Sequence, residues 1–212
     1  MLREKRNKIQ KMFSAGSKRY DLLNRILSFG QDISWRKKAI SQANIPESGL
    51  VLDLATGTGD VAILTARNSS SQVKIVALDL TKKMLELAKA KIKKSGLHSR
   101  ISFLLGAVEE TPCLDGTFDC ITIAFGLRNV SDINSGINEI KRVLKEGGRV
   151  VILEFSKPCK GIISKAAWFY IKNILPAIGW IISGSFASYK YLPDSISSYL
   201  TPLEISSLLS KS

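Results

Sequence analysis

Two glycines and three acids, set around one apolar run, are the residues of this chain best placed to do chemistry. The stretch LDLATGTGD (52–60) carries Gly57 and Gly59 between Asp53 and Asp60, and Asp79 follows twenty residues after Gly59. Glycines at the end of a strand let a nucleotide-like ligand approach the backbone. GTGDVA satisfies the dinucleotide pattern G-x-G-x-x-G/A, with Ala62 in last place and Asp79 where a ribose-binding acid belongs. The charges speak against a dinucleotide. Asp60 would sit at a helix N-terminus, where a pyrophosphate needs positive potential, and Asp53 adds a second negative charge. S-adenosylmethionine has ribose and adenine but no phosphate, and its sulfonium and ammonium cations favour nearby carboxylates. Helix capping is an alternative use of Asp60 and Asp79, and it is compatible with binding.

Positioning such a turn requires a scaffold, and the hydrophobic pattern supplies one. Strands are expected at 50–55, 73–80, 100–106, 118–126 and 149–155. Helices are expected at 60–68, 81–95 and 132–145, the last closed by Gly147-Gly148. Residues 5–14, 18–28 and 33–44 read as short basic amphipathic helices, and 202–211 as a final one. Strands alternating with helices predict an α/β fold with a doubly wound parallel sheet, whose ligands bind at the carboxyl ends of the strands. The candidates at those ends are Asp53 to Asp60, Asp79, Gly106 to Val108, Ala124 to Asn129, and Glu154 to Lys157. The lone histidine, His98, falls at the opposite edge and is expected to be a surface loop residue.

Composition narrows the setting. A chain of 212 residues suits a single domain with a real core. A net charge of +13 favours an anionic partner, nucleic acid or an acidic membrane face, without choosing between them. Cys113, Cys120 and Cys159 show no C-x-x-C spacing, and with one histidine in the chain no metal site is expected. A reducing cytosol fits. The basic N-terminus MLREKRNKIQK lacks the apolar stretch of a secretion signal, and no apolar run is long enough to span a bilayer.

MFSAGSKRYDLLNRILSFGQDISWRKKAI, VLDLATGTGD, FDCITIAFGLRNV, RVLKEGGRVVILEFSKP and YKYLPDSI together closely resemble the ubiquinone/menaquinone biosynthesis C-methyltransferase family. The resemblance runs over roughly residues 8 to 209, and AFGLRNV and LEFSKP are far more specific than the glycine turn. It implies a class I, Rossmann-like methyltransferase fold. It also implies S-adenosylmethionine-dependent C-methylation of a polyprenylated quinol, demethylmenaquinol or a ubiquinone-pathway benzoquinol. The family's cofactor positions fall on Thr58, Asp79, Ala107 and Val108, and a further one on Ala124. Ala107 stands where the family has Asp or Asn, leaving only backbone contacts to the adenine. Family members continue past the helix at 202–211 into two further strands; the expectation is a chain lacking that antiparallel pair, with the fifth strand an edge.

The implied organisation is basic helices over 1–45, a cofactor-binding core over 46–160, a helical substrate lid over 161–200, and the start of a truncated element over 201–212. Methylation of a ring carbon needs the quinol deprotonated, and a cation near the ring oxygen stabilises the phenolate. Arg128, just past the fourth strand, is the candidate, with Asn129 as an orienting donor; a solvated turn is the alternative for both. Trp168, Phe169, Tyr170 and Trp180, among Lys165, Lys172 and Lys190, suit an interfacial helix pair binding a polyprenyl tail at an anionic membrane, or else simply close the core. The expected location is cytoplasmic, peripheral at the inner face of the membrane, with a homo-oligomer admitted. One rival is an RNA methyltransferase using Cys159 as nucleophile, but the basic residues are spread rather than clustered with stacking aromatics, so no nucleic acid partner is expected. A non-catalytic, cofactor-binding remnant is the other.

Overall fold

The computed structural model describes residues 2–17, 20–156, 161–178 and 186–211. Three helices lead, α1 (Leu2–Gly16), α2 (Tyr20–Leu27) and α3 (Gln31–Ser41). The alternating core follows as β1 (Leu50–Leu54), α4 (Asp60–Arg67), β2 (Lys74–Asp79), α5 (Lys82–Lys94), β3 (Ile101–Leu105), β4 (Phe118–Ala124), α6 (Ile133–Val143) and β5 (Leu144–Leu153). Beyond it come α7 (Ile162–Phe169), continued by a wider π turn at Tyr170–Ile174, then α8 (Phe186–Ser197) and α9 (Pro202–Lys211). Trp180 and Cys159 lie outside the described residues.

The five strands are parallel throughout, in the order β3-β2-β1-β4-β5. Side chains alternate across a strand, so neighbouring residues serve opposite layers. Val51, Ile75, Ala77 and Cys120 pack against Ala62, Ile63 and Ala66 of α4 and Ala88 and Ile92 of α5. Leu52, Leu54, Leu78, Ile121 and Ile123 pack on the other face against Ile140 and Val143 of α6. With both faces covered, the central strands read as almost continuous apolar runs. The chain winds β1-β2-β3 to one side and returns to β4 on the other, so the strand order reverses between β1 and β4. The carboxyl ends of those strands diverge there into a crevice.

The boundary between α6 and β5 moves furthest from expectation. α6 ends at Val143, not Lys145, and Gly147-Gly148 do not close the helix but lie inside β5. Leu144 pairs with Phe118 and Arg149 with Cys120, so residues 145–148 bulge out of the ladder. Gly147 takes φ of 71°, and a Cβ on Gly148 would stand 2.8 Å from the Lys145 carbonyl oxygen. The glycine pair makes that bulge sterically possible.

Candidate active site

Ala55, the residue after β1, adopts φ of 51° although it is not glycine, and Phe125, the residue after β4, has φ of 57°. Left-handed backbone at two non-glycine residues is uncommon and persists where the surroundings over-determine it. Here the two turns meet: a Cβ on Gly126 would come within 2.6 Å of the Ala55 Cβ. Both strand ends are thereby bent aside, and a cleft opens between them.

Asp53 anchors this turn from below. Its carboxylate is 1 % exposed and accepts the hydroxyls of Thr56 at 2.5 Å and Thr122 at 2.8 Å. Burial pushes its pKa up to about 6, against the pull of those two hydroxyls. Asp79, at the end of β2, accepts the Gly57 N–H at 2.8 Å through Oδ2 and the Thr81 N–H at 2.7 Å through Oδ1. Burial raises its pKa as well, opposed by the same backbone donors. A carboxylate offers about four lone-pair sites. Two are engaged by the backbone, and acceptor capacity remains for a vicinal diol.

Gly57, Asp79, Ala107, Val108, Ala124 and Asn129 line this one cleft, together with Leu80, Thr81 and Met84. Asp53, Thr58, Gly59 and Asp60 are not among its walls. Gly59 faces α5, where a Cβ would press on Ile92 Cδ1 at 3.1 Å. The Thr58 hydroxyl donates to Asp21 of α2 at 2.5 Å. Asp60 is bridged to Arg25 of α2 at 2.9 Å and to Lys91 of α5. Burial opposes its ionisation, but Lys91, Arg36 and Arg25 together hold its pKa low. The turn's far side therefore ties the leading helices to the core.

The cleft has a roof. Arg6, Ile9 and Phe13 of α1 and Tyr20 of α2 close it to a volume of about 80 Å³, well below the roughly 300–1,000 Å³ of a ligand pocket. Polar contacts that hold α1 down include Lys5 Nζ to the Val130 carbonyl at 2.8 Å, Gln10 Nε2 to the Leu80 carbonyl at 3.1 Å, and Arg6 to Glu109 at 3.7 Å. The donor set fits an adenosyl ligand, an acid for the ribose and apolar Met84 and Val108 for a purine. The volume is smaller than such a ligand, and α1 supplies part of the wall that limits it.

Beside the cleft lies a larger cavity of about 420 Å³, sharing Phe13, Tyr20 and Phe125 as walls. One end is aliphatic, with Leu23, Leu27, Leu175, Leu192 and Ile196. The other is aromatic. The Phe125 and Phe155 rings stack at 4.9 Å between centroids, and Trp35 stands edge-on to both at 6.3 and 5.9 Å. Two guanidinium groups flank the stack, Arg36 at 5.2 Å from the Phe125 centroid and Arg128 at 5.7 Å from that of Phe155.

Arg128 is not a solvated turn residue. Its side chain is 8 % exposed and forms an ion pair with Glu154, itself 4 % exposed at the end of β5. Glu154 also accepts the backbone N–H of Arg128 at 3.2 Å and of Phe155 at 2.9 Å, and Arg128 Nη1 donates to the Phe125 carbonyl at 3.1 Å. Asn129 Nδ2 donates to that same carbonyl at 3.3 Å, and its Oδ1 accepts the Tyr191 hydroxyl at 3.0 Å. Arg128 thus lines the large cavity, while Asn129 lines the cleft. Asp32 holds Arg36 in a similar way, taking Arg25 and the Ser28 hydroxyl besides. Sequence reasoning missed Trp35, Arg36 and Tyr191, which come from helices rather than strand ends. Trp35 and Arg36, an aromatic and a cation side by side on a short helix, were the available signal.

Of the expected lid, Phe169 is exposed, Trp168 is half-buried, and the Tyr170 hydroxyl donates to the Leu27 carbonyl at 2.9 Å. Among the described residues no helix is long and apolar enough to cross a membrane.

Comparison with known proteins agrees with this geometry. The chain is 45% identical over 208 residues, 98% of its own length and 88% of the relative's, to a ubiquinone/menaquinone biosynthesis C-methyltransferase UbiE of Geotalea uraniireducens. It is 41% identical over 198 residues, 93% of this chain and 89% of the other, to a demethylmenaquinone methyltransferase of Thermus thermophilus. A solved structure from Methanococcus maripaludis, described as a putative S-adenosyl-L-methionine-dependent methyltransferase, superposes with a TM-score of 0.62 at 25% identity, covering 87% of this chain and 83% of that one. Residues 1–212 match the ubiE/COQ5 methyltransferase family from end to end, and the chain belongs to that family.

Proposed function

We propose that this protein transfers a methyl group from S-adenosylmethionine to a ring carbon of a polyprenylated quinol, demethylmenaquinol or its benzoquinol counterpart. One observation carries the reading: a cleft with an acid suited to a ribose opens beside an aromatic cavity with a buried arginine, across the shared walls Phe13, Tyr20 and Phe125. Family membership and the names of the relatives support it.

In this reading Asp79 holds the ribose hydroxyls, Gly57 lets the ligand close on the backbone, and the main chain at Ala107 and Val108 borders the adenine. The cofactor, when bound, supplies an electrophilic methyl group on a sulfonium. The residues of the second cavity prepare the acceptor. Phe125, Phe155 and Trp35 stack on a flat ring, and the aliphatic end takes the first units of a prenyl tail. Arg128 faces the ring oxygen. As the quinol O–H loses its proton to water, the guanidinium stabilises the phenolate, whose charge reaches the neighbouring ring carbon. That carbon would take the methyl group, the new C–C bond forming as the methyl–sulfur bond of the sulfonium breaks and the cofactor leaves as a neutral thioether, and loss of the ring proton to water restores aromaticity. Asn129, anchored by Tyr191, orients the turn between the two cavities. Holding both reactants across one wall supplies much of the rate of such a displacement.

The substrate's tail resides in a bilayer, so the same reading takes the enzyme to work peripherally at the inner, cytoplasmic face of a membrane, and the net charge of +13 supports this. The test is transfer of labelled methyl from S-adenosylmethionine to demethylmenaquinol, beside arms with RNA and with no acceptor. Label recovered in the quinol supports the reading; label in RNA alone, or in neither, overturns it.

A further inference from the structure

α2 buries one stripe and exposes another. Leu23 and Leu27 face the large cavity, while Leu22 and Ile26 point outward, 55% and 41% exposed. Phe29, just past the end of α2 in the turn to α3 with φ of 51°, is 80% exposed. A large aromatic fixed in left-handed backbone and turned to solvent has no role in packing the core. Its ring instead leans on Tyr170 at 5.7 Å, next to Phe169, itself 60% exposed. Ile33, 37% exposed, extends the patch onto α3.

Charge surrounds this patch. Lys37 lies one turn beyond Ile33 on α3, Lys165 one turn before Phe169 on α7, and Lys172 one turn after it, and all three are exposed. Phe29 and Tyr170 also line the large cavity, so the patch borders that cavity's mouth. We propose that the corner formed by Leu22, Ile26, Phe29 and Ile33, with Phe169, is the face that enters an anionic lipid surface. A second copy of the chain fits less well, because a two-fold contact through this patch brings one lysine rim up against another of the same charge. An acidic bilayer satisfies both parts, taking the apolar tip among its acyl chains and the lysines at its headgroups. The proposal rests on the reading of the cavity as a site for a lipid-tailed quinol. It assigns the insertion to the α2–α3 corner, so that the tail passes from bilayer to cavity beside Phe29.

The test uses the full chain and Leu22→Gln/Ile26→Gln, whose side chains touch neither cavity and sit at exposed helical positions. In flotation with vesicles of phosphatidylglycerol and phosphatidylcholine, the variant should bind about tenfold more weakly, equivalent to roughly 1.4 kcal/mol. Activity on a short-chain soluble quinol should stay at the wild-type level, while activity on a long-chain quinol embedded in the vesicles falls. A Phe29→Trp variant should show a blue-shifted emission on vesicles and quenching by brominated acyl chains. Unchanged flotation by the double variant, or no quenching at position 29, overturns the proposal. A wild-type dimer converted to monomer by the double variant, without a change in vesicle binding, overturns it in favour of a self-interface. If the wild type floats as described but methylates neither quinol, the docking face stands and the catalytic reading fails.

Discussion

Replacing Asp53 by Asn should change how the stability of this protein depends on pH. Asp53 is the most deeply buried carboxylate beneath the glycine turn, and burial lifts its pKa from 3.8 to about 6. Between those values the folded protein keeps a proton that the unfolded chain has released. Stability therefore falls as pH rises through that window, the reverse of a salt-bridged acid. Below pH 3.8 the group costs nothing, and above about 6 the cost is complete. At about 1.4 kcal/mol for each pH unit, the two-unit window amounts to roughly 3 kcal/mol. Asparagine has the same shape, keeps an acceptor for one threonine hydroxyl, and does not titrate. Urea unfolding at steps from pH 4 to pH 7, extrapolated to water, gives both stabilities. The wild type should lose ground to Asp53→Asn by a few kcal/mol across the window and track it thereafter. Glu139, whose pKa the Arg142 hydrogen bond holds down at about 2, contributes the opposite slope, but identically in both proteins. Parallel curves would refute the claim that burial dominates at Asp53.

Asp79→Ala should cost more than a hundredfold in cofactor affinity by calorimetry, since charge-assisted hydrogen bonds contribute about 1.5–3 kcal/mol each; unchanged affinity would remove Asp79 from the site. Arg128→Ala should lower turnover while leaving cofactor affinity nearly intact, and Arg128→Lys should not restore it, because an ammonium lacks the planar fork. The first variant strands Glu154 at 4 % exposure, a loss of about 3–5 kcal/mol, so Arg128→Met/Glu154→Gln is the folded control. Gly126→Ala drives a methyl group to 2.6 Å from the Ala55 Cβ and should weaken cofactor binding through the turn, seen as a raised Kd. Lys5→Ala/Arg6→Ala removes the Val130 and Glu109 contacts of α1 and should speed cofactor binding and release alike in stopped flow.

The central strands were legible because they are buried on both faces, so their apolar runs carry little ambiguity. Asp79 was legible for a related reason: in a doubly wound sheet an acid at the end of β2 can reach only the crevice. β5 was harder. Lys-Glu-Gly-Gly at 145–148 reads as a helix stop followed by a fresh strand, and only pairing with β4 shows it to be a bulge. Thr58 and Asp60 share the glycine motif with Gly57, yet their side chains turn to Asp21, Arg25 and Lys91, all distant in sequence. Local spacing does not reveal which side of a turn a side chain takes when a helix packed from elsewhere offers it a charge. The same limit hid Arg36 and Tyr191, whose place at the cavity depends on how α3 and α8 dock.

The leading helices then account for more than a cover. Phe13 and Tyr20 line both cavities, and α2 also carries Arg25, which pairs with Asp60 beneath the glycine turn. Lifting α1 enough to admit an adenosyl group moves Phe13, and with it one wall of the aromatic cavity. Filling that cavity with a ring and tail packs Phe13 and Tyr20 from the opposite side and holds the roof down. Binding in the cleft first, followed by the quinol, is consistent with this geometry, because the reverse order closes the cleft at 80 Å³. A roof held down by the bound quinol would also keep bulk water from the sulfonium during the transfer. In the proposed reading, the contacts that narrow the cleft would also seal it once both ligands are bound.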